Sequence, residues 1–123
     1  MDRDLRNRNN RIGELVMYAK SRYGKEYTNS AEFIRECYDK VGVKIPNTSI
    51  QQSHVGRKIG FYDMIPGDLI FFCSNNYCID NVGLYVGNGM FIHITKETCQ
   101  VATSCIVASY YKSKYVLSKR IIK

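Results

Sequence analysis

Ile12, Leu15, Val16, Ala19 and Tyr23 recur at three- and four-residue intervals, the spacing that aligns side chains on one face of a helix. A first amphipathic helix is therefore predicted to end near Gly24. Phe33, Ile34, Cys37 and Val41 form a second helical stripe, predicting a helix over 30–41 with Gly42 as its stop. The start of this helix is well signalled. Asn29 is a good N-cap, Glu32 three residues later completes a capping-box pattern, and Ser30 becomes the first residue inside the helix.

The stretch VKIPNTSIQQSHVGRKIGFYDM is polar and turn-rich and reads as a long surface connection. Pro66-Gly67-Asp68 then forms a turn that delivers the chain into the apolar run Leu69-Ile70-Phe71-Phe72. Strands are predicted over 82–86 and 90–94, joined at Gly87-Asn88-Gly89, with further strands near 99–107 and 115–122. Along 90–94, Phe91 and His93 share one face while Met90, Ile92 and Ile94 share the other. Helices first and strands later imply an α+β fold, with N-terminal helices packed on an antiparallel β-sheet. The chain has no repeat, low-complexity tract or obvious linker, and its 123 residues suit one domain, 1–123, with one core.

Composition narrows the function classes. The chain carries 18 Lys and Arg against 11 Asp and Glu, a net charge of +7. After Glu97 there is no acid, whereas Lys112, Lys114, Lys119, Arg120 and Lys123 follow. A basic end suits anionic partners or simply keeps the protein soluble. Nucleic acid is the less favoured partner, because no nucleic-acid motif accompanies the charge. No apolar run is long enough for a transmembrane segment, and MDRDLRNRNN has no signal-peptide core. The expectation is a cytoplasmic protein or an excised domain of an exported one.

Five cysteines, at 37, 73, 78, 99 and 105, are an odd number and favour free thiols over a disulfide framework. Their gaps are looser than zinc-knuckle spacing, so neither a metal nor a cofactor is expected. Cys37 lies on the apolar face of the second helix and reads as core. Cys73 and Cys78 flank a loop with no visible base nearby.

The helix start at Ser30 is where a nucleophile would gain most. Unpaired backbone N–H groups and the positive end of the dipole stabilise an anion there. A cysteine at such a place is activated when an imidazole from a neighbouring strand pairs with it and a second polar group orients the ring.

Four strings occur in an order that fits this arrangement: GVKIPNTSIQQ at 42–52, PGDLIFF at 66–72, NVGLYVGNG at 81–89 and FIH at 91–93. On these, from about Tyr23 to Arg120, the chain resembles the NlpC-type cell-wall peptidases, a papain-like family that cuts peptide stems of bacterial peptidoglycan. The resemblance implies a papain-like fold and places Ser30 at the family's nucleophilic cysteine. Asn29 then falls at the preceding aspartate, Asn81 at the base histidine and His93 at the residue that orients the base. Only His93 matches in type. A Trp-Gly-Gly approach to the nucleophile is also missing.

Serine is barely ionised at neutral pH and needs a general base, which asparagine cannot be; Asn81 can hold a hydroxyl without moving its proton. The resemblance therefore implies an inactive peptidase fold that binds a peptidoglycan stem peptide or a protein partner. The alternative is a γ-D-glutamyl-diaminopimelate endopeptidase, either active or inactivated by an engineered Cys-to-Ser change at Ser30. Asn81 opposes engineering, since one knockout would suffice. A purely structural helix-start serine and a satisfied structural histidine remain the plain readings of Ser30 and His93. Tyr27 and Tyr85 are candidate groove-lining aromatics. His54, in SHVGRK, repeats the His-Val-Gly string without a following apolar strand and is set aside.

Overall fold

A computed structural model of the chain describes residues 3–122. Met1, Asp2 and Lys123, and with them the outer ends of the two basic termini, lie outside the described residues. The elements are α1 (Arg3–Ser21), α2 (Ser30–Asp39), α3 (Ser49–Gln52), β1 (Arg57–Ile59), β2 (Leu69–Phe72), β3 (Asn81–Gly87), β4 (Met90–Ile94), β5 (Val101–Cys105), α4 (Ser109–Lys114) and β6 (Tyr115–Arg120), with a 3-10 turn at Phe61–Asp63. The strands form one six-stranded sheet in the order β1-β6-β2-β3-β4-β5, with every pairing antiparallel. The expected α+β architecture is present, helices packed on an antiparallel sheet.

The second helix starts as its sequence dictates. Asn29 is extended, and its side chain accepts the Glu32 amide at 2.9 Å. The chain leaves α2 through Gly42 at φ +76°, where the Val43 amide returns to the Tyr38 carbonyl. The apolar stripe of α2, Phe33, Ile34 and Cys37, packs with Leu15 and Ala19 of α1 onto Leu69, Phe71, Val82, Leu84 and Ile92. Burial pushes the Cys37 thiol pKa well up, which makes it a core residue and no nucleophile.

Two features of this region depart from the sequence reading. The segment read as a surface connection contains α3 and β1, and β1 extends the sheet by pairing Arg57–Ile59 with Ser118–Arg120. Gln52 in α3 is fully buried; its Nε2 donates to the Ala31 carbonyl at 3.1 Å and the Pro46 carbonyl at 2.9 Å. Polar composition there reflects an internal amide whose Nε2 is paired, with Oε1 left without a protein partner among the described residues, as well as a wet surface. The opposite face of the sheet is also covered, by Ile70, Phe72, Phe91 and Ile106 with Tyr111 of α4. Cover on both faces explains why LIFF is buried at every position and shows no alternation.

The turn that leads into β2 rests on Asp68. Its Oδ2 accepts the Ile65 amide at 2.9 Å, closing the turn. Arg120 of β6 meets the same carboxylate through Nε and Nη2, both at 2.9 Å. Gly67 within the turn stands at φ +99° with Ile12 against the place a Cβ would take, so glycine is required. Its carbonyl accepts the buried Tyr38 hydroxyl at 2.5 Å. In β3 the Phe91 ring lies over Gly83, where a Cβ would come within 2.5 Å of it.

Asp68 and Arg120 side chains are 2% and 14% exposed, so each is stranded without the other. Arg120→Met is expected to destabilise the fold by about 3–5 kcal/mol, measured by urea denaturation. Asp68→Leu added to it should recover part of that loss.

Candidate active-site cleft

Ser30 opens α2 where the helix meets the end of β4. Its residue exposure is 4%, and its Oγ accepts the Ile94 amide at 3.0 Å. The hydroxyl thus closes a backbone donor at the strand end. It lies on the wall of a cavity of about 250 Å³ together with Thr28, Asn29, Asp80, Asn81 and Lys96. A second cavity of about 290 Å³ continues past Asn29 to Asn47, Thr48 and Ile50.

Asn81 is the first residue of β3, pairing with Phe72 of β2. Its Oδ1 accepts the Val82 amide at 2.9 Å, so the carboxamide oxygen is engaged locally. Asn81 also lines a smaller cavity of about 40 Å³ with His93, and is therefore a wall common to both spaces. Neither Asn81 nor His93 is hydrogen-bonded to Ser30.

His93 lies on the sheet face opposite α2, as the alternation along β4 requires, with Phe91 at a ring separation of 4.7 Å and Tyr111 at 5.4 Å. Nε2 is 2.8 Å from Ser104 Oγ on β5; Nδ1 is buried without a protein partner. Burial lowers the pKa of the ring from 6.5 to about 4, against a smaller upward pull from Glu97. The imidazole is neutral at pH 7.

Tyr27 and Tyr85 do not line the Ser30 cavity. Tyr27 is buried and edge-on to Phe33, at 5.1 Å. Its hydroxyl donates to Glu36, which also receives Tyr18 at 2.6 Å, while Arg22 Nε donates to Tyr27 at 2.8 Å. Burial raises the Glu36 pKa, but the Tyr18 and Tyr27 hydroxyls together with the charges of Arg22 and Lys40 outweigh it and hold the carboxyl low. Tyr27 thus braces α2 against α1 and lines a shallow depression with Glu26, Thr28 and Cys99, the last two shared with the Ser30 cavity. Tyr85 sits four residues along β3 from Asn81, roughly 13 Å at strand rise, and its hydroxyl accepts the Gly89 amide at 3.0 Å. It lines neither cavity beside Asn81. His54 is exposed in the connection after α3.

Sequence reasoning missed Lys96 and Cys99, from the loop after β4, and Tyr110, Tyr111 and Lys114 of α4. The Tyr-Tyr pair was the available signal, but six residues without a cap motif do not announce a helix. Among the described residues, no cluster of three or more His, Cys, Asp or Glu could hold a metal ion, and no helix is long and apolar enough to cross a membrane.

A helix that presents its first residue to the ends of strands β3 and β4, with an antiparallel sheet behind, defines the papain-like class of cysteine-peptidase folds. The NlpC/P60 family matches residues 20–120, and the chain belongs to that family. It is 34% identical over 99 residues to a probable endopeptidase NlpC homolog of Haemophilus influenzae, covering 80% of this chain and 51% of that protein. It is 33% identical over 94 residues to a γ-DL-glutamyl hydrolase of Bacillus subtilis, covering 76% of this chain and 22% of that one. The chain thus spans about half, or about a fifth, of the length of these relatives. A crystal structure of an NlpC/P60 family protein from Bacillus cereus shares the fold with a TM-score of 0.85 at 24% identity, covering 91% of this chain and 40% of that one.

The depressed histidine pKa fixes a pH dependence. The unfolded chain takes up a proton near pH 6.5 and the folded one only near pH 4. The contribution is complete above pH 6.5 and lost as pH falls from 6.5 towards 4, by about 3 kcal/mol in all. Urea denaturation at pH 7 and pH 4.5 should show a smaller acid loss in His93→Gln than in the parent chain.

Proposed function

We propose that this domain is a non-hydrolytic member of its family that binds a peptidoglycan stem peptide in the cleft beside Ser30. The observation that carries the reading is the use of the Ser30 hydroxyl as acceptor for the Ile94 amide, with a carboxamide at the position the resemblance assigns to the base. Neither residue at the family's partner positions takes its proton: Asn81 lacks the chemistry, and the neutral His93 spends Nε2 on Ser104; Asp80 on the same wall is engaged by the Ser74 amide and hydroxyl. Binding requires no proton transfer. The spaces flanking Asn29 and Ser30 are lined by hydroxyls and carboxamides, with Asp80 on both and Lys96 on one, groups that pair with the amides, carbonyls and charged ends of a peptide. The whole parent protein's activity and location are part of the same proposal.

A second reading is favoured by the names of the relatives, an endopeptidase and a γ-glutamyl hydrolase. On that reading the chain cleaves γ-D-glutamyl-diaminopimelate bonds, and Ser30 either serves as nucleophile or replaces an original cysteine.

Incubation with muropeptides, followed by mass spectrometry, separates the two. Products are expected neither from the parent chain nor from Ser30→Cys. The double variant Ser30→Cys/Asn81→His should release them at about 10²-fold or more above either, the scale of a positioned general base. Cleavage by the parent chain that is abolished in Ser30→Ala would overturn the binding reading. Cleavage by Ser30→Cys alone would show that Asn81 is no loss.

A further inference from the structure

The 40 Å³ cavity behind Asn81 is separate from the cleft, yet shares Asn81, Ile94 and Lys96 with it. At ~10–15 Å³ for each water-sized group it has room for about three, the heavy-atom count of a carboxylate group. Phe72 and His93 form its buried floor, and α4 closes it with Tyr110, Tyr111 and Lys114.

Its polar groups are mostly donors. Asn81 has its Oδ1 taken by the Val82 amide, which leaves the NH₂ free. Lys96 spends one Nζ proton on Ser74 at 2.9 Å and keeps two. Lys114 rests over the Tyr110 ring at 6.0 Å and makes no ion pair among the described residues. Glu97 is the one acid on the lining, against two lysines. His93, 2% exposed, leaves Nδ1 unpartnered, and a buried polar atom of this kind calls for a ligand or a water. Its partner at Nε2 is a hydroxyl, which donates or accepts. Ser104 can therefore donate to Nε2, and the neutral ring then offers Nδ1–H to the cavity.

We infer that this cavity is a carboxylate subsite, receiving the free carboxylate of a peptide whose chain lies in the Ser30 cleft. The inference rests on the binding reading above and names the part of the ligand that the site selects: a peptide end bearing –COO⁻ rather than a capped or internal segment. Lys96 and Lys114 supply the charge at the mouth. Asn81 and His93 supply fixed hydrogen bonds inside, where a carboxylate–donor pair is less screened than at the surface. Asn81 thereby has a use of its own as a donor shared between cleft and subsite.

The chain has two histidines, so His54→Gln leaves His93 as the only imidazole for ¹⁵N NMR. The probes are N-acetyl-alanyl-alanine and its carboxamide. The acid is expected to move the His93 Nδ1 resonance saturably, and the carboxamide to leave it in place. Lys96→Met/Lys114→Met, checked as folded by its amide spectrum, should weaken the acid by about tenfold or more, the order of one lost charge-assisted contact. An equal response to both probes overturns the carboxylate assignment, as does a His93 resonance that neither probe moves, which would leave Nδ1 to water. Muropeptide titration followed by amide shifts around Ser30 runs in parallel. Stem peptides that bind equally as acid and carboxamide would leave the binding reading standing and remove this one. A response to the dipeptide acid without muropeptide binding would do the reverse.

Discussion

The hydrogen bond from the Ile94 amide to Ser30 Oγ joins the two halves of the molecule at the point where its chemistry would be expected. It is made at the first turn of α2, whose capping by Asn29 fixes the helix start, and at the last residue of β4, which the ladder with β5 fixes in register. Burial of Phe33, Ile34 and Cys37 on the sheet holds the two ends in contact and keeps the bond out of water. A buried amide left without its acceptor costs about 1–3 kcal/mol. Ser30 is thus retained in place by backbone satisfaction, whatever else it does.

The same geometry shapes the cleft. A nucleophile needs a base within reach of its proton, whereas Asn81 turns its oxygen to its own strand and His93 lies on the opposite face of the sheet with Tyr111. What remains is a polar line running from Asn47 past Ser30, Asp80 and Asn81 to the pocket under α4. Lys96 and Lys114 stand on the lining of that pocket, where Glu97 faces them.

The strings that carry the family resemblance serve the backbone more than the reaction. Asp68 in PGD closes a turn and clamps β6 through Arg120. Gly67 has a positive φ, and Gly83 lies beneath the Phe91 ring. Each is tied to a steric or electrostatic demand of the sheet.

The sequence by itself determined α2 with its cap, the PGD turn, the β3–β4 hairpin and the face on which His93 stands. All of these are local: periodicity of 3.6 or 2, turn glycines and a capping side chain act within a few residues. It also picked out Ser30, Asn81 and His93 as the residues to place. Only the tertiary structure decided what surrounds them. Six-residue α4 has no local stability of its own and forms because Tyr111 packs on Phe72 and Phe91. Gln52 looked like surface until Ala31 and Pro46 supplied its partners, and Tyr27 looked like a cleft aromatic until Glu36 and Arg22 took its hydroxyl. In each case the deciding neighbour lies on another element, and a linear pattern carries no record of which distant group will arrive to satisfy a polar atom.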